Sequence, residues 1–72
     1  MRCLWFNPSN DRHYQIDISK NLFGQWEVIR SWWGQKRYGG VLTVPCESLT
    51  ECLVEWKKIE RLRKYHGYKR IK

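Results

Sequence analysis

The chain has 72 residues, 42% of them hydrophobic and 29% charged, which predicts one ordered domain covering residues 1–72 rather than a disordered segment. The net charge is +7, and the whole excess lies in residues 57–72, which hold eight basic residues and one acid, whereas residues 1–56 are neutral. This basic excess predicts an anionic partner, and we expect nucleic acid rather than a membrane. No apolar run has the length of a signal peptide or a membrane span, so we expect a cytoplasmic protein.

The first half of the chain predicts three strands. Residues 2–6 are short and apolar, and residues 14–18 alternate, with the tyrosine and the two isoleucines on one face. Residues 25–33 carry polar and apolar side chains on both faces. This mixture indicates a central strand whose second face is partly covered or is used for binding.

A basic hairpin loop is predicted at residues 34–40, with glycine at both ends. Residues 41–44 form the returning strand. We expect this strand to end at Pro45, because proline cannot donate to a sheet ladder.

A helix is predicted next. Ser48 and Glu51 match a capping box, and Gly67 is a suitable C-terminal stop, after which residues 68–71 form a last short strand or pack back on the sheet. The basic residues late in the helix complement the helix dipole. This effect, together with solubility, is the alternative to an anionic partner as the explanation of the basic end. These elements predict an α+β fold, an antiparallel sheet of four or five strands with one amphipathic helix on one face. The apolar stripe of the helix comprises Leu49, Cys52, Leu53, Trp56, Ile59 and Leu62.

Metal binding and catalysis find little support in the sequence. The three cysteines form no CxxC pair and the two histidines are far apart, so we expect buried thiols and no metal or other cofactor. No nucleophile elbow and no carboxylate pair near a histidine is present, and Gly39 and Gly40 do not precede a helix as a phosphate loop would. We therefore expect a protein that is not an enzyme and has no small-molecule substrate.

Two adjacent tryptophans, Trp32 and Trp33, end the third strand. Adjacent side chains on a strand point to opposite faces, so we expect one ring in the core and the other exposed. Trp32 shares a face with Trp26 and Val28, which favours Trp33 as the exposed ring. An exposed ring beside glycine and basic residues suits nucleic acid, because the ring stacks on a base while lysine and arginine bind phosphates. The alternative is that both tryptophans are structural.

The order of several segments resembles a known family. Tyr14–Ile18, Asn21–Trp26 and Val28–Trp32 are followed by the basic loop, the helix and Lys64–Tyr68. Over about residues 14–68 this order resembles the WGR domain, named for its Trp-Gly-Arg motif. That domain is found in DNA-dependent poly(ADP-ribose) polymerases and as a small stand-alone bacterial module. The resemblance implies a sheet with one helix and implies DNA binding, in which the motif tryptophan packs against the sugar–phosphate end at a strand break.

The motif itself differs here, since residues 32–35 read WWGQ. An alignment on the Trp-Gly pair puts Gln35 at the position of the motif arginine, and an alignment without a gap makes Trp32 the motif tryptophan. The arginine is absent in both alignments, and Lys36 or Arg37 is expected to compensate for its charge.

We therefore predict a non-enzymatic nucleic-acid-binding module whose ligand is DNA. The alternatives are RNA binding by the same chemistry and a protein-docking module, in which the exposed tryptophan anchors an acidic protein partner. The predicted contact residues are Arg30, Trp32, Trp33, Gly34, Gln35, Lys36, Arg37, Lys57, Arg61, Lys64, Lys69 and Arg70.

Overall fold

The strands form one antiparallel sheet, and the helix packs on one side of it. The computed structural model describes residues 1–34 and 37–72, with only the backbone described for residues 37 and 38. The elements in chain order are β1 (Arg2–Asn7), β2 (Arg12–Lys20), β3 (Trp26–Gly34), β4 (Arg37–Cys46), α1 (Leu49–Tyr65) and β5 (Lys69–Arg70).

The strand order in the sheet is β4-β3-β2-β1-β5. Each of the first four strands pairs with its neighbour in the chain, and α1 then carries the chain from the β4 edge to the β1 edge, where β5 is added. The predicted α+β class and the final short strand are confirmed. Within the described residues, no helix combines the length and the apolar character that crossing a bilayer requires.

One sheet face, which we call the helix face, packs on α1 and holds the core. The alternation in β2 places Tyr14, Ile16 and Ile18 on this face, as predicted. Register puts Trp5 opposite Tyr14 and Val28 opposite Ile18, so neighbouring strands contribute to the same layer. Full burial of a large apolar side chain stabilises a fold by roughly 1.5–3 kcal/mol. The buried cluster comprises Cys3, Trp5, Tyr14, Ile16, Ile18, Val28, Cys46, Cys52, Trp56 and Ile59.

The opposite sheet face, which we call the open face, has no part in that cluster. It carries Phe6 of β1, His13 of β2 and Trp33 of β3, which lie opposite one another in register. Because side chains alternate along a strand, this face receives the odd-numbered residues of β2 and β3.

The start of α1 agrees with the capping prediction in part. The Ser48 hydroxyl accepts a hydrogen bond from the Glu51 amide at 3.2 Å. The Glu51 carboxylate accepts from the Glu47 amide, also at 3.2 Å, and thus reaches one residue further back than the predicted box. Gly67 has a φ of +86°, a conformation that favours glycine, and it follows the helix end as predicted.

The apolar stripe of α1 is confirmed in its middle and wrong at its ends. Cys52, Trp56 and Ile59 are buried, whereas Leu49 and Leu62 are exposed, Leu62 by 47%. The residue four positions after Ile59 is Arg63, and its side chain, rather than that of Leu62, continues the line toward the sheet. The stripe therefore ends in a charge.

Strand β4 is longer than predicted, running from Arg37 to Cys46 instead of covering residues 41–44. Pro45 does not end it, and lies opposite Glu27 of β3 in register. The physical reason is that β4 forms the edge of the sheet, where one side of the strand makes no ladder bonds and proline is tolerated.

The predicted loop at residues 34–40 is also wrong, because residues 37–40 belong to β4 and residue 34 to β3. Gly40 lies opposite Trp32, and a register irregularity between Trp32 and Gly34 indicates a β-bulge beside Gly39. Gly39 and Gly40 thus lie inside a paired strand rather than in a loop.

The end of β1 is tied to the end of α1 by one buried polar side chain. Asn7 is 4% exposed, and its amide nitrogen donates to the His66 carbonyl at 3.1 Å. Its amide oxygen accepts from the Ser9 backbone amide at 3.0 Å and from the Ser9 hydroxyl at 2.7 Å. Gly67 approaches the same side chain, where a Cβ would lie 3.7 Å from the Asn7 nitrogen.

Replacing Asn7 by alanine is expected to lower the free energy of unfolding by about 1–2 kcal/mol, because it leaves the His66 carbonyl and the Ser9 amide without this partner. Urea unfolding would measure the change. Ser9→Ala is the control, since it removes only the hydroxyl that donates to the same oxygen. An Asn7→Ala variant as stable as Ser9→Ala would show that the tie contributes nothing.

Candidate nucleic-acid interface

A cavity opens on the helix face at the end of the sheet where β2 begins and β3 ends. Its volume is about 300 Å³. Basic and aromatic side chains from β2, β3, α1 and the segment before β5 surround it. The lining residues are Arg12, Tyr14, Arg30, Trp32, Trp33, Gly34, Arg63 and Tyr68.

Arg63 is the arginine that α1 contributes. Its guanidinium carbon lies 4.2 Å from the centroid of the Tyr14 ring and 5.2 Å from that of Tyr68. Contacts of this kind hold a cation in place through the negative face of the ring. The Arg63 Nε atom is buried and has no hydrogen-bond acceptor among the described residues. The fold therefore leaves this N–H group without a hydrogen-bond partner in those residues.

Arg30 reaches the same tyrosine from the sheet. Its Nε donates a hydrogen bond to the Tyr14 hydroxyl, and its guanidinium carbon lies 5.7 Å from the ring centroid. Arg12 is opposite Gly34 where β2 pairs with β3, and completes the set. Tyr14 thus orients two of the three arginines that line the cavity.

Trp32 forms the aromatic edge of the cavity. Its ring stacks with the Tyr14 ring at 6.1 Å between centroids and 14° between planes. The ring also lies against Gly40 of β4, where a Cβ would be 2.5 Å from Trp32 Cζ2. Trp32 is 38% exposed, so part of its side chain remains accessible to a ligand while another part lies against the backbone of β4.

Trp33 lies on the open face, with its ring stacked on His13 at 5.3 Å between centroids and 2° between planes. It is 39% exposed, about as much as Trp32. The expectation that one of the two tryptophans belongs to the core is therefore wrong. Both lie at the end of the sheet beyond the buried part of α1, where Arg63, rather than another apolar residue, faces Tyr14.

The charges around the cavity are all of one sign. Three of its eight described lining residues are arginines and none is acidic. The ion pairs found in residues 1–34 and 37–72 are Arg2 with Asp17 and Lys58 with Glu55, and neither involves a cavity arginine. Cations this close repel one another, and an anion between them would remove that cost. The arrangement is suited to a phosphate group beside a stacked ring.

Four predicted site residues, Arg30, Trp32, Trp33 and Gly34, meet at this cavity. Gln35 and Lys36 lie outside the described residues, as does the side chain of Arg37. The other predicted residues do not line the cavity. Lys57, Arg61 and Lys64 are exposed on α1, and Lys69 and Arg70 are exposed on β5 at the sheet edge.

Sequence reasoning missed Arg12, Tyr14, Arg63 and Tyr68 as site residues. A signal for Arg63 was present, because it follows Trp56 and Ile59 at the spacing of one helix face. A charged residue in line with an apolar stripe is costly unless it has a partner, so its position marks a site. Arg12 and Tyr68 gave no such signal, since only the fold brings them together.

The three cysteines are buried, as expected. Burial raises the pKa of Cys52 to about 12, and the neighbouring thiol of Cys46 adds to the effect. Burial also raises the pKa of Cys3, although a hydrogen bond from Trp5 opposes the shift. Within the described part of the chain, no three histidine, cysteine or acidic side chains form a group that could hold a metal ion.

Comparison with family models, with curated proteins and with solved structures found no match to this chain. The similarity to the WGR domain therefore stays a resemblance between segments, and the function is inferred from the geometry of the cavity.

Proposed function

We propose that this protein is a non-enzymatic module that binds nucleic acid, with DNA as its ligand and a backbone phosphate in the arginine cavity. The observation that carries the proposal is the convergence of three arginines, with no carboxylate among the described lining residues, on a cavity edged by Trp32. A reduced cytoplasmic setting is part of the proposal, because the three thiols are free and buried.

The arginine side chains suit a phosphate for a geometric reason. A guanidinium group presents a planar fork of donors that matches two phosphate oxygens, and such charge-assisted hydrogen bonds are stronger than neutral ones. Tyr14 positions two of the forks through a hydrogen bond to Arg30 and a ring contact with Arg63. Because the side chains are already ordered, binding loses less conformational entropy.

Trp32 supports the choice of nucleic acid over a simple anion. Its exposed ring edges the cavity, so a sugar or base attached to the bound phosphate could pack on it. The exposed basic residues of α1 and β5 extend the positive charge beyond the cavity, which favours a long polyanion. The WGR resemblance supports DNA as the polyanion, and RNA remains the alternative with the same chemistry.

Fluorescence anisotropy of labelled DNA would test the proposal. Blunt duplex, nicked duplex and single-stranded DNA would be titrated with the protein across a salt series. We expect micromolar or tighter binding, with the slope of log K against log salt steeper by about 0.9 for each duplex phosphate contacted. An absence of binding to every form at low salt would overturn the proposal and direct attention to an acidic protein partner.

A further inference from the structure

We propose that the open face beside the cavity binds the unpaired bases of a DNA strand whose phosphate enters the arginine cavity. This inference rests on the proposed function and adds the form of the ligand, namely single-stranded DNA. The site consists of a row of four side chains, one from each of four neighbouring strands. In sheet order they are Trp33, His13, Phe6 and Lys69, and we call them the aromatic row.

The rings of the aromatic row pack against one another, with Trp33 face to face with His13 and Phe6 tilted by 48° against it. The Trp33 and His13 rings are 5.3 Å apart with planes 2° from parallel, and the His13 and Phe6 rings are 4.8 Å apart. Each ring thus limits the movement of the next. His13 is covered by its two neighbours, so the face of Trp33 turned away from His13 is the surface for a base. An ordered ring is a good stacking partner, because a base that binds it freezes few rotamers.

The aromatic row is accessible, and among the described residues none of its four members is acidic. Helix α1 packs on the opposite sheet face, and Trp33 keeps 39% of its surface exposed. Lys69 at the end of the row is exposed and basic. The carboxylates of this face, Asp17 and Glu27, lie further along β2 and β3, and Asp17 is paired with Arg2 at 3.0 Å. The charge at the row is therefore complementary to a DNA backbone.

The position of the row next to the cavity points to a single strand. Trp32 and Trp33 are consecutive residues on opposite faces, and Trp33 and Gly34 also line the cavity. One flexible strand could reach both sites, with a phosphate at the arginines and an unpaired base on the Trp33 ring. Internal bases of a duplex could not stack in this way, because their faces are covered by neighbouring base pairs.

The test compares two single strands of equal length, a thymidine oligonucleotide and an abasic sugar–phosphate strand with the same number of phosphates. The wild-type protein is expected to bind the thymidine strand roughly five- to a hundred-fold more tightly than the abasic one, the range that stacking supplies. His13→Ala removes the ring that supports Trp33 and should reduce this ratio while the affinity for the abasic strand stays unchanged, because His13 does not line the cavity. Trp33→Ala should reduce the ratio further.

Val41→Ala is the matched control, since Val41 is an exposed apolar residue on the open face outside the row. It should leave the ratio unchanged, and circular dichroism would establish that each variant is folded. Equal binding of both strands by the wild type would overturn the inference and leave the proposed function standing. If the folded His13→Ala and Trp33→Ala proteins kept the wild-type ratio of the two affinities, the inference would also be overturned and the proposed function would stand. Binding of neither strand would contradict the proposed function itself, and tighter binding of uridine RNA would overturn the choice of DNA.

Discussion

Replacing Arg63 by glutamine is expected to weaken DNA binding about ten- to a hundred-fold at moderate salt, because charge-assisted hydrogen bonds contribute roughly 1.5–3 kcal/mol. Glutamine keeps part of the aliphatic stem and removes the guanidinium group that contacts the rings of Tyr14 and Tyr68. Arg63→Lys should give an intermediate affinity, since lysine retains the charge but lacks the planar fork. Anisotropy titrations across a salt series would measure both variants.

The control for this experiment is Arg2→Gln, which removes the same charge from an exposed arginine on the open face that is paired with Asp17. We expect a change of less than about three-fold there, because only the long-range field is altered. An equal loss in both variants would show that net charge, rather than the cavity, determines binding.

The stability of Arg63→Gln separates a binding role from a structural one. The Arg63 Nε atom is buried without an acceptor in the described residues, and the arginines of the cavity repel one another. Truncation is therefore expected to leave the free energy of unfolding within about 1 kcal/mol of the wild type. A residue that lowers affinity without lowering stability acts on the ligand, whereas a large loss of stability would make Arg63 a structural residue.

Replacing Gly39 by alanine is expected to destabilise the protein by about 3 kcal/mol, the upper part of the usual range for overpacked sites. A Cβ at Gly39 would lie 2.1 Å from the Trp32 carbonyl oxygen and 3.0 Å from Trp33 Cβ. These atoms are backbone or are fixed to it, so no side-chain rotation relieves the contact, and the pairing of β3 with β4 has to shift. Urea unfolding would measure the loss.

Gly24→Ala is the comparison for this prediction. Gly24 has a φ of +76°, but no atom lies within 4 Å of a Cβ placed there. Its replacement has only the conformational cost, about 1–2 kcal/mol. A Gly39→Ala variant as stable as Gly24→Ala would mean that β4 can move away from β3 without cost.

The fold was largely predictable because local patterns and tertiary packing agree in most of the chain. The alternation in residues 14–18 and the Ser48 cap each specify an element on their own, and the structure contains both. Strand β4 was misjudged because Gly39, Gly40 and Pro45 are local breaking signals. Pairing with β3 and the edge position overrode those signals, and neither can be read from residues 37–46 alone.

The candidate site was less predictable, because it depends on where the helix ends over the sheet. Helical spacing is compatible with either Leu62 or Arg63 continuing the apolar stripe, and only the tertiary contact of the last turns of α1 with Tyr14 selects Arg63. Because Arg63 rather than an apolar residue continues the stripe, the Trp32 ring faces the arginine-lined cavity instead of the core, and it is therefore exposed. The proposed ligand depends on these contacts rather than on the tryptophan pair alone.

The strand order has a consequence for how the molecule forms and opens. Strands β1 to β4 pair with neighbours close in the chain, whereas β5 pairs with β1 across more than sixty residues of chain. Contacts between residues distant in the chain form slowly, and chain termini are among the first parts to open in local unfolding. Arg63 and Tyr68 belong to this late segment, and they reach back to Tyr14 near the other end of the chain. A ligand bound by Arg63, Tyr68 and Tyr14 would therefore connect the two ends of the chain. It would slow amide hydrogen exchange most at β5 and the last turn of α1.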